Sequence, residues 1–491
     1  MRFCKTILVG ILVLADMLFC FVPIGIVNTF GDVELSSIVF HFFVPLKDMS
    51  CDWLIDLSGF IIIAILLSIF FLGCIFRFKE FARYILAILL FIFLFDLYYF
   101  DKHFSLWQYI IDQYNESNFI QENYVSPEQT KITFPEKKQN LIIIQVESLE
   151  SSFSDVKNGG LLDRNYIPEL INIAKENINF SPSNLVGGAI VLPESGWTMG
   201  GLVAETAGIP LKSYKIHKSN DQIGNRYNRY KSFLTRVISI GDILKKAGYK
   251  NYFILGTDKV FAAQDIYLQE HGDYIIYDYP VIRKELNVEK PDKKWWGLLD
   301  QDVYKFSQRK LLQISKSGIP FSVIIQTIDS HRSGFLSPDC PSKWDLNIKN
   351  VYSCVSSQLN NFLRWCMEQA FFENTTIVVI GDHCNMDGIL FKNNISKETG
   401  LYEGTERNVY NVFVNSQIKP QKQKKRLFST MDFFPTILAS IGVSIEGDRL
   451  GLGTNLFSER KTLLEEYGYN YLYQELRKKS NFYNQELLYP K

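Results

Sequence analysis

Three long apolar runs, at residues 7–28, 54–76 and 81–100, constrain this chain before anything else does. Each has about the length a helix needs to cross a bilayer, roughly 17–25 residues. Arg2 and Lys5 precede the first run, and Arg77, Lys79 and Arg83 lie between the second and third. Basic residues hold short loops in the cytoplasm. The N-terminus and the 77–83 turn are therefore expected inside, and everything after about residue 101 outside. A cleaved signal peptide does not explain the pattern, because no clear small-x-small site is present and two further runs follow. Ile38–Leu46 is apolar but too short to span alone; it reads as interfacial or re-entrant, with a fourth span as the alternative. Asp16 and Asp96 fall inside apolar runs, where an ionisable residue is functional by default, although Asp96 is close enough to an interface to be solvated. The expected location is the inner (cytoplasmic) membrane, multi-pass, with the following domain facing the periplasm or outside.

At 491 residues the chain exceeds one average domain. Its net charge is zero, so no global electrostatic pull points to nucleic acid, and none is expected as a partner. Cys340 and Cys354 enclose a loop rich in Pro, Ser, Asn and Asp and read as a disulfide of an oxidising compartment. Such a bridge contributes on the order of 3 kcal/mol. Cys366 and Cys384 read as free, and with no Cys-x-x-Cys pair a zinc ribbon is not expected. Residues 101–126 carry Phe104, Trp107, Ile110, Ile111 and Tyr114 at helical spacing. That amphipathic helix either lies on the membrane surface or packs on the outer domain. Lys422–Arg426 reads as a solvated loop, with anionic lipid as the alternative partner. The Tyr-rich tail from Ser458 reads as a terminal helix without an assigned function. The expected domains are a transmembrane region (1–103), an amphipathic helix and linker (104–139), an outer domain (140–459) and a C-terminal tail (460–491).

From Leu141 onward, short and fully apolar strands alternate with helical segments. The strands are Leu141–Val146, Tyr252–Leu255, Phe321–Thr327, Thr376–Ile380 and Val409–Val414, with helices over 166–177, 238–247, 353–370 and 430–441. This is the pattern of an α/β fold, a sheet sandwiched by helices. The strands end in Glu147-Ser-Leu-Glu150, Gly256-Thr-Asp258, Ile328-Asp-Ser-His331 and Gly381-Asp-His383. Sites in open α/β sheets form beyond the carboxyl ends of strands, so these acids and imidazoles are expected at one edge.

Thr198 stands between a turn-rich approach (Pro193, Gly196) and a small-residue run (Gly200, Gly201, Ala204) that starts a helix and lets it pack close to a neighbour. A hydroxyl at a helix start sits among unpaired N–H groups where phosphate docks, though it can also serve only as a cap. Glu147, Asp382 and His383 supply oxygen and nitrogen donors for a divalent ion, and Thr198 Oγ a further one. An ion there would lower the hydroxyl's pKa and make it a nucleophile near neutral pH.

These residues stand in segments that resemble a known family. The segments are Asn140-Leu-Ile-Ile-Ile-Gln-Val-Glu-Ser-Leu-Glu150, Gly196-Trp-Thr-Met-Gly-Gly-Leu202 with its continuation to Leu211, and Phe261–Gly272. Trp296-Gly-Leu-Leu-Asp-Gln-Asp302, Thr327-Ile-Asp-Ser-His-Arg332, Gly381-Asp-His383 and Leu450-Gly-Leu-Gly453 follow in order. Over Asn140–Phe457 the chain resembles the membrane-anchored phosphoglycerol transferases of the alkaline phosphatase/sulfatase superfamily. It is nearer the branch that modifies periplasmic glucans than the lipoteichoic acid synthases. The resemblance implies that superfamily's fold, with Glu147, Thr198, Asp382 and His383 as metal ligands. The ion expected is Mn²⁺, with Mg²⁺ or Zn²⁺ as alternatives. It also implies Thr198 as nucleophile, His331 as a catalytic residue on the phosphoryl group or its proton, Arg407 and Trp296 as substrate-binding, and Cys340 with Cys354 as a pair. The implied partners are a membrane phospholipid donor, phosphatidylglycerol by type, and a glycan or polyol acceptor. Where the lipoteichoic acid synthases hold glycerol phosphate with His, Trp and Arg, this chain has Leu255, Ala262 and Gln264, which puts elongation of a polyglycerol phosphate in doubt. A Cys/Ser-x-Pro-x-Arg motif is absent, so sulfate ester hydrolysis is not expected. A phosphoethanolamine transferase, a phosphodiester hydrolase and a non-catalytic envelope scaffold stay open as alternatives.

Overall fold

In a computed structural model of the protein, residues 2–30, 35–43, 52–212, 233–292, 295–386, 391 and 407–488 are described. Contacts divide the chain into two compact units, the first mainly Met1–Leu35 and Ser50–Ile111, the second mainly Asp112–Asn385 and Ile389–Lys491.

The first unit consists chiefly of the helices Arg2–Phe30, Asp52–Arg77 and Ala82–Phe104. Among the described residues three segments are long and apolar enough to cross a membrane: Ile7–Asn28, Leu57–Arg77 and Lys79–Phe104. Val13, Met17, Ala64, Ile75 and Leu89 pack between them, while Leu12, Phe70 and Phe91 point outward. Apolar residues on both the inner and the outer side of a bundle are what a lipid environment permits and water does not. Asp96 is buried within its helix. The Ile38–Leu46 stretch falls partly in the helix Leu35–Phe43 and partly outside the described residues. Nine residues rise only about 14 Å, too little to span.

The continuous helix expected over 101–126 is broken twice. Ser105 takes a left-handed conformation (φ 50°) and ends the helix Ala82–Phe104; Leu106–Tyr114 and Phe119–Asn123 follow as separate helices. Between them the Ser117 hydroxyl accepts the Phe119 N–H at 3.1 Å, a local bond that competes with helix.

The second unit is built on a seven-stranded sheet. Its strands are β1 (Asn140–Val146), β2 (Gly188–Ala189), β3 (Lys250–Leu255), β4 (Ile275–Tyr277), β5 (Phe321–Gln326), β6 (Thr375–Gly381) and β7 (Val409–Val414). Their order in space is β2-β7-β6-β1-β5-β3-β4. All neighbours pair in parallel except β7, which is antiparallel to β6 and to β2. Central β1 is a run of Leu and Ile because both of its faces are covered. Register does the positioning. Val146 pairs with Gly381, so Glu147 and Asp382 leave adjacent strands side by side. Gln145 pairs with Gln326 on the other flank, which brings the Thr327–His331 turn to the same edge.

One reading changes on this unit. Lys422–Arg426 is not simply a solvated loop, since Arg426 is 2% exposed, meets Glu465 at 2.9 Å and donates to the carbonyls of Ser458 and Arg460. It fastens the tail to the domain. The tail itself forms the helices Leu463–Tyr467 and Tyr469–Arg477, and its buried Tyr483 hydroxyl donates to the Pro210 carbonyl at 2.9 Å.

Candidate functional site

Three ligand atoms, one each from Glu147, Asp382 and His383, lie within 4.8 Å of one another, and all three side chains are buried. His383 Nε2 is 3.2 Å from Glu147 Oε1 and 3.5 Å from Asp382 Oδ2. The other ring nitrogen, Nδ1, is 2.9 Å from the Cys384 carbonyl and can only donate to it. That contact orients the ring and leaves Nε2 as the nitrogen facing the carboxylates. Asp382 Oδ1 accepts the N–H groups of Ser148 at 2.7 Å and His383 at 2.8 Å, while buried Oδ2 has no hydrogen-bond partner among the described residues. An orphaned carboxylate oxygen beside an imidazole nitrogen and a second carboxylate is a donor set that fits a divalent ion.

The charges tell the same story. Burial alone would push the Glu147 carboxyl up, but the His383 imidazole and the Ser148 hydroxyl hold it well down. Burial and the neighbouring Glu147 charge push Asp382 up. Burial works to lower the His383 imidazole, but the Asp382 and Glu147 carboxylates favour its cationic form and raise it to about 10. Two buried acids therefore draw positive charge into the cluster.

Thr198 begins the helix Thr198–Ala207, with Trp197 as its cap residue, so the hydroxyl is on the helix rather than capping it. Its Oγ1 donates to Glu147 Oε2 at 3.2 Å and lies 3.5 Å from His383 Nε2. The small-residue run has a direct cause: a Cβ on Gly201 would meet the Asp382 carbonyl oxygen at 2.5 Å. Ser195, the other hydroxyl of this stretch, is 1% exposed and donates to the Leu192 carbonyl at 2.6 Å.

His331 lies on the turn after β5. Burial pushes its imidazole below the usual range, although the Glu147 charge pulls the other way, so the ring is neutral at pH 7. The Trp296 ring meets it edge-on at 4.7 Å, and the buried Trp296 indole N–H has no partner among the described residues. Asp300, from the same Trp-Gly-Leu-Leu-Asp segment, accepts the N–H groups of Ile328 at 2.7 Å and Asp329 at 3.1 Å, fixing the turn that carries His331. Gly297 is needed there because a Cβ would come within 2.8 Å of the Gly256 carbonyl oxygen.

Arg407 is engaged elsewhere. Its Nε donates to Glu150 Oε2 at 2.9 Å, and its terminal nitrogen donates to Glu150 Oε1 and, at 2.6 Å, to the Asn385 carbonyl. Glu150 also accepts the Asn385 N–H at 2.8 Å. Asn385 donates to the Tyr352 hydroxyl at 3.1 Å, and that hydroxyl donates to the Ser148 carbonyl at 2.7 Å. The ion pair thus braces both ligand-bearing turns. Ser148 is held at φ 53°, a left-handed conformation that such bracing sustains. Replacing Arg407 with Ala leaves Glu150 buried without its partner and is expected to lower stability by about 3 kcal/mol. Denaturant unfolding of the detergent-solubilised protein measures this, and an unchanged midpoint contradicts it.

Glu150, Tyr352, Asp300 and Glu205 have no place in the sequence-based site. Burial, reinforced by the Asp382 charge, pushes Glu205 well above the usual carboxylate range. It accepts from Gln145 at 2.7 Å, which accepts from Gln326 at 2.9 Å, which accepts from Gln264 at 3.2 Å. Polar residues inside otherwise apolar strands are the signal that could reveal this row. Leu255, Ala262 and Gln264 are buried, and none of the three carries a charge. Cys340 and Cys354 form a disulfide, and Cys366 and Cys384 are free.

Comparison with known proteins follows this geometry. The Sulfatase family model matches residues 203–443, a range that includes His331, Asp382, His383 and Arg407 and begins just after Thr198. Phosphoglycerol transferase I of Escherichia fergusonii is 33% identical over 340 residues, 66% of this chain and 40% of the relative. The protein of that name from Salmonella arizonae is 32% identical over the same shares. The matched stretch thus spans well under half the length of these curated relatives. Among solved structures, a protein of the alkaline phosphatase superfamily from Vibrio parahaemolyticus aligns with a TM-score of 0.52 at 19% identity, covering 70% of this chain and 78% of its own. The lipoteichoic acid synthase LtaP of Listeria monocytogenes aligns at 0.50 and 17% identity, covering 69% and 80%. The mixed sheet flanked by helices is the fold these two share with it. Residues 203–443 of the chain match the Sulfatase family model, and its second unit has the fold of these alkaline phosphatase superfamily structures.

Proposed function

We propose that this chain transfers phosphoglycerol from a phosphatidylglycerol-type membrane lipid to a hydroxyl of an envelope glycan or polyol, through a phospho-Thr198 intermediate. The observation that carries the reading is the Thr198 hydroxyl, 3.2 Å from Glu147 and 3.5 Å from His383 in a buried cluster of ligand type. The name of the relatives, phosphoglycerol transferase I, supports the group transferred. In the first half, Thr198 Oγ bonds to phosphorus and the bond from phosphorus to the diacylglycerol oxygen breaks. The hydroxyl's proton is lost and the departing oxygen gains one. His331, neutral and near Glu147, is the proposed proton carrier. In the second half the acceptor hydroxyl displaces Thr198, which recovers its proton.

Glu147, Thr198, Asp382 and His383 would hold the divalent ion, Mn²⁺ by the mix of oxygen and nitrogen donors, with Mg²⁺ or Zn²⁺ as alternatives. Such an ion lowers the hydroxyl's pKa and offsets charge on the phosphoryl oxygens. The Trp296 indole N–H offers a donor to a substrate oxygen. Arg407 would act through the Glu150 and Asn385 turns rather than on substrate directly. The absence of a cation at Leu255, Ala262 and Gln264 favours a glycan acceptor over a growing polyglycerol phosphate. Residues 140–459 form the proposed catalytic domain, facing the periplasm or outside from an inner-membrane anchor, as the basic 77–83 turn implies.

The test is full-length protein in vesicles containing either phosphatidylglycerol or phosphatidylethanolamine with a labelled headgroup, plus a glucan acceptor. Label on the glucan and diacylglycerol from phosphatidylglycerol alone are expected. Transfer from phosphatidylethanolamine instead overturns the donor, and release of free headgroup phosphate regardless of acceptor marks a hydrolase.

A further inference from the structure

The stretch around Thr198 closes on itself. The Leu211 N–H donates to the Glu194 carbonyl at 2.8 Å, so the turn that leads into the helix Thr198–Ala207 meets the segment that leaves it. Glu194 is held at φ 66°, a left-handed conformation that persists only where its surroundings impose it. On both sides of Leu211 the C-terminal tail takes hold. The Tyr483 hydroxyl donates to the Pro210 carbonyl at 2.9 Å and accepts the Lys212 N–H at 3.2 Å. Lys212 is 2% exposed, and its ammonium donates to the carbonyls of Leu476 and Lys478, the latter at 3.1 Å. Those carbonyls stand at the end of the helix Tyr469–Arg477, where the dipole favours a cation. A phenol and an ammonium are costly to bury, and here both tie residues 210–212 to the tail.

We propose that Tyr483 and Lys212 are positioning residues for the transfer reaction: the tail clips the far end of the Thr198 segment and thereby sets where the Thr198 hydroxyl stands against Glu147 and His383. The proposal rests on the reading of Thr198 as the nucleophile. The lever is short and stiff. Ten helical residues rise about 15 Å, so a tilt of roughly 4° moves one end of the helix by about 1 Å. A misplacement of that size costs up to about a hundredfold in rate, even when its cause is remote from the chemistry. The clip falls on the two residues that flank Leu211, and Leu211 is the one bonded to the approach turn. Loosening it therefore frees both ends of the stretch together. The Tyr-rich tail gains a role by this route, as part of the mounting of the nucleophile.

The test uses full-length protein in phosphatidylglycerol vesicles with a glucan acceptor. Tyr483→Phe removes the hydroxyl and keeps the ring. Tyr249→Phe is the control, since its buried hydroxyl donates to the Gln139 carbonyl at 2.7 Å, at the opposite end of β1 from Glu147. For Tyr483→Phe, kcat is expected to fall roughly ten- to a hundredfold, with KM for both substrates and the metal content unchanged. Without substrate, amide exchange over residues 192–207 is expected to quicken relative to that over β1. Tyr249→Phe is expected to match wild type in kcat and in exchange over 192–207. A wild-type kcat in Tyr483→Phe, or an equal loss in Tyr249→Phe, overturns the proposal, because Tyr483 is then only a general stabiliser. Unchanged exchange over 192–207 also overturns it. Faster exchange in Tyr483→Phe, where wild type itself forms no adduct on Thr198, supports the clip and removes the reading of Thr198 instead.

Discussion

Thr198→Ala abolishes transfer while the protein keeps its fold and most of its affinity for the ion. Glu147, Asp382 and His383 remain to hold metal, but no other hydroxyl of that stretch is placed to take the phosphoryl group. Ser195 is buried and its hydroxyl is committed to the Leu192 carbonyl. Losing an essential nucleophile removes the covalent route altogether, so activity is expected to fall by several orders of magnitude. Single-turnover assays with labelled phosphatidylglycerol measure this. Retention of more than about a tenth of the rate, a barrier change below ~1.4 kcal/mol, contradicts the assignment. Thr198→Ser keeps the oxygen and is expected to keep substantial activity, which separates loss of the nucleophile from loss of packing.

Asp382→Asn removes the ion. Its Oδ1 accepts two backbone N–H groups, from Ser148 and His383, and an amide oxygen in the same place still accepts them. What disappears is the negative charge and the unpartnered Oδ2. Metal content of the purified full-length variant is therefore expected to fall from about one ion per chain to near zero with an unchanged circular dichroism spectrum. Asp382→Ala also loses the ion, but it orphans two buried donors at a cost of roughly 1–3 kcal/mol each. Stoichiometric metal in the Asn variant would remove Asp382 from the site.

The central strands are legible because each is buried on both faces and reads as an unbroken apolar run; Val409–Val414 has the same limits in sequence and structure. Edge strands are not. Ile275–Tyr277 has three residues, no alternation to detect, and, among the described residues, one neighbour. Acidic and imidazole side chains at strand ends are visible because the parallel sheet brings those ends together, as the Val146–Gly381 register does for Glu147 and Asp382. Partners across long sequence distances are not visible. Nothing near Arg407 in the chain announces Glu150, 257 residues away, so its charge reads as free for substrate until the fold supplies the counter-ion. Arg426 fails the same way: a basic run looks solvated until Glu465 closes on it. The break at Ser105 hides for another reason. One left-handed residue leaves the helical spacing of Phe104, Trp107 and Ile111 nearly undisturbed.

The most direct test of the account is the covalent intermediate itself. Full-length protein with its ion is given phosphatidylglycerol without acceptor, quenched with acid, digested and mapped by mass spectrometry. One glycerophosphoryl group on the peptide containing Thr198, absent from Thr198→Ala and discharged when a glycan acceptor is added before quenching, is the predicted result. Diacylglycerol production with no adduct, or an adduct at Ser195, would contradict it.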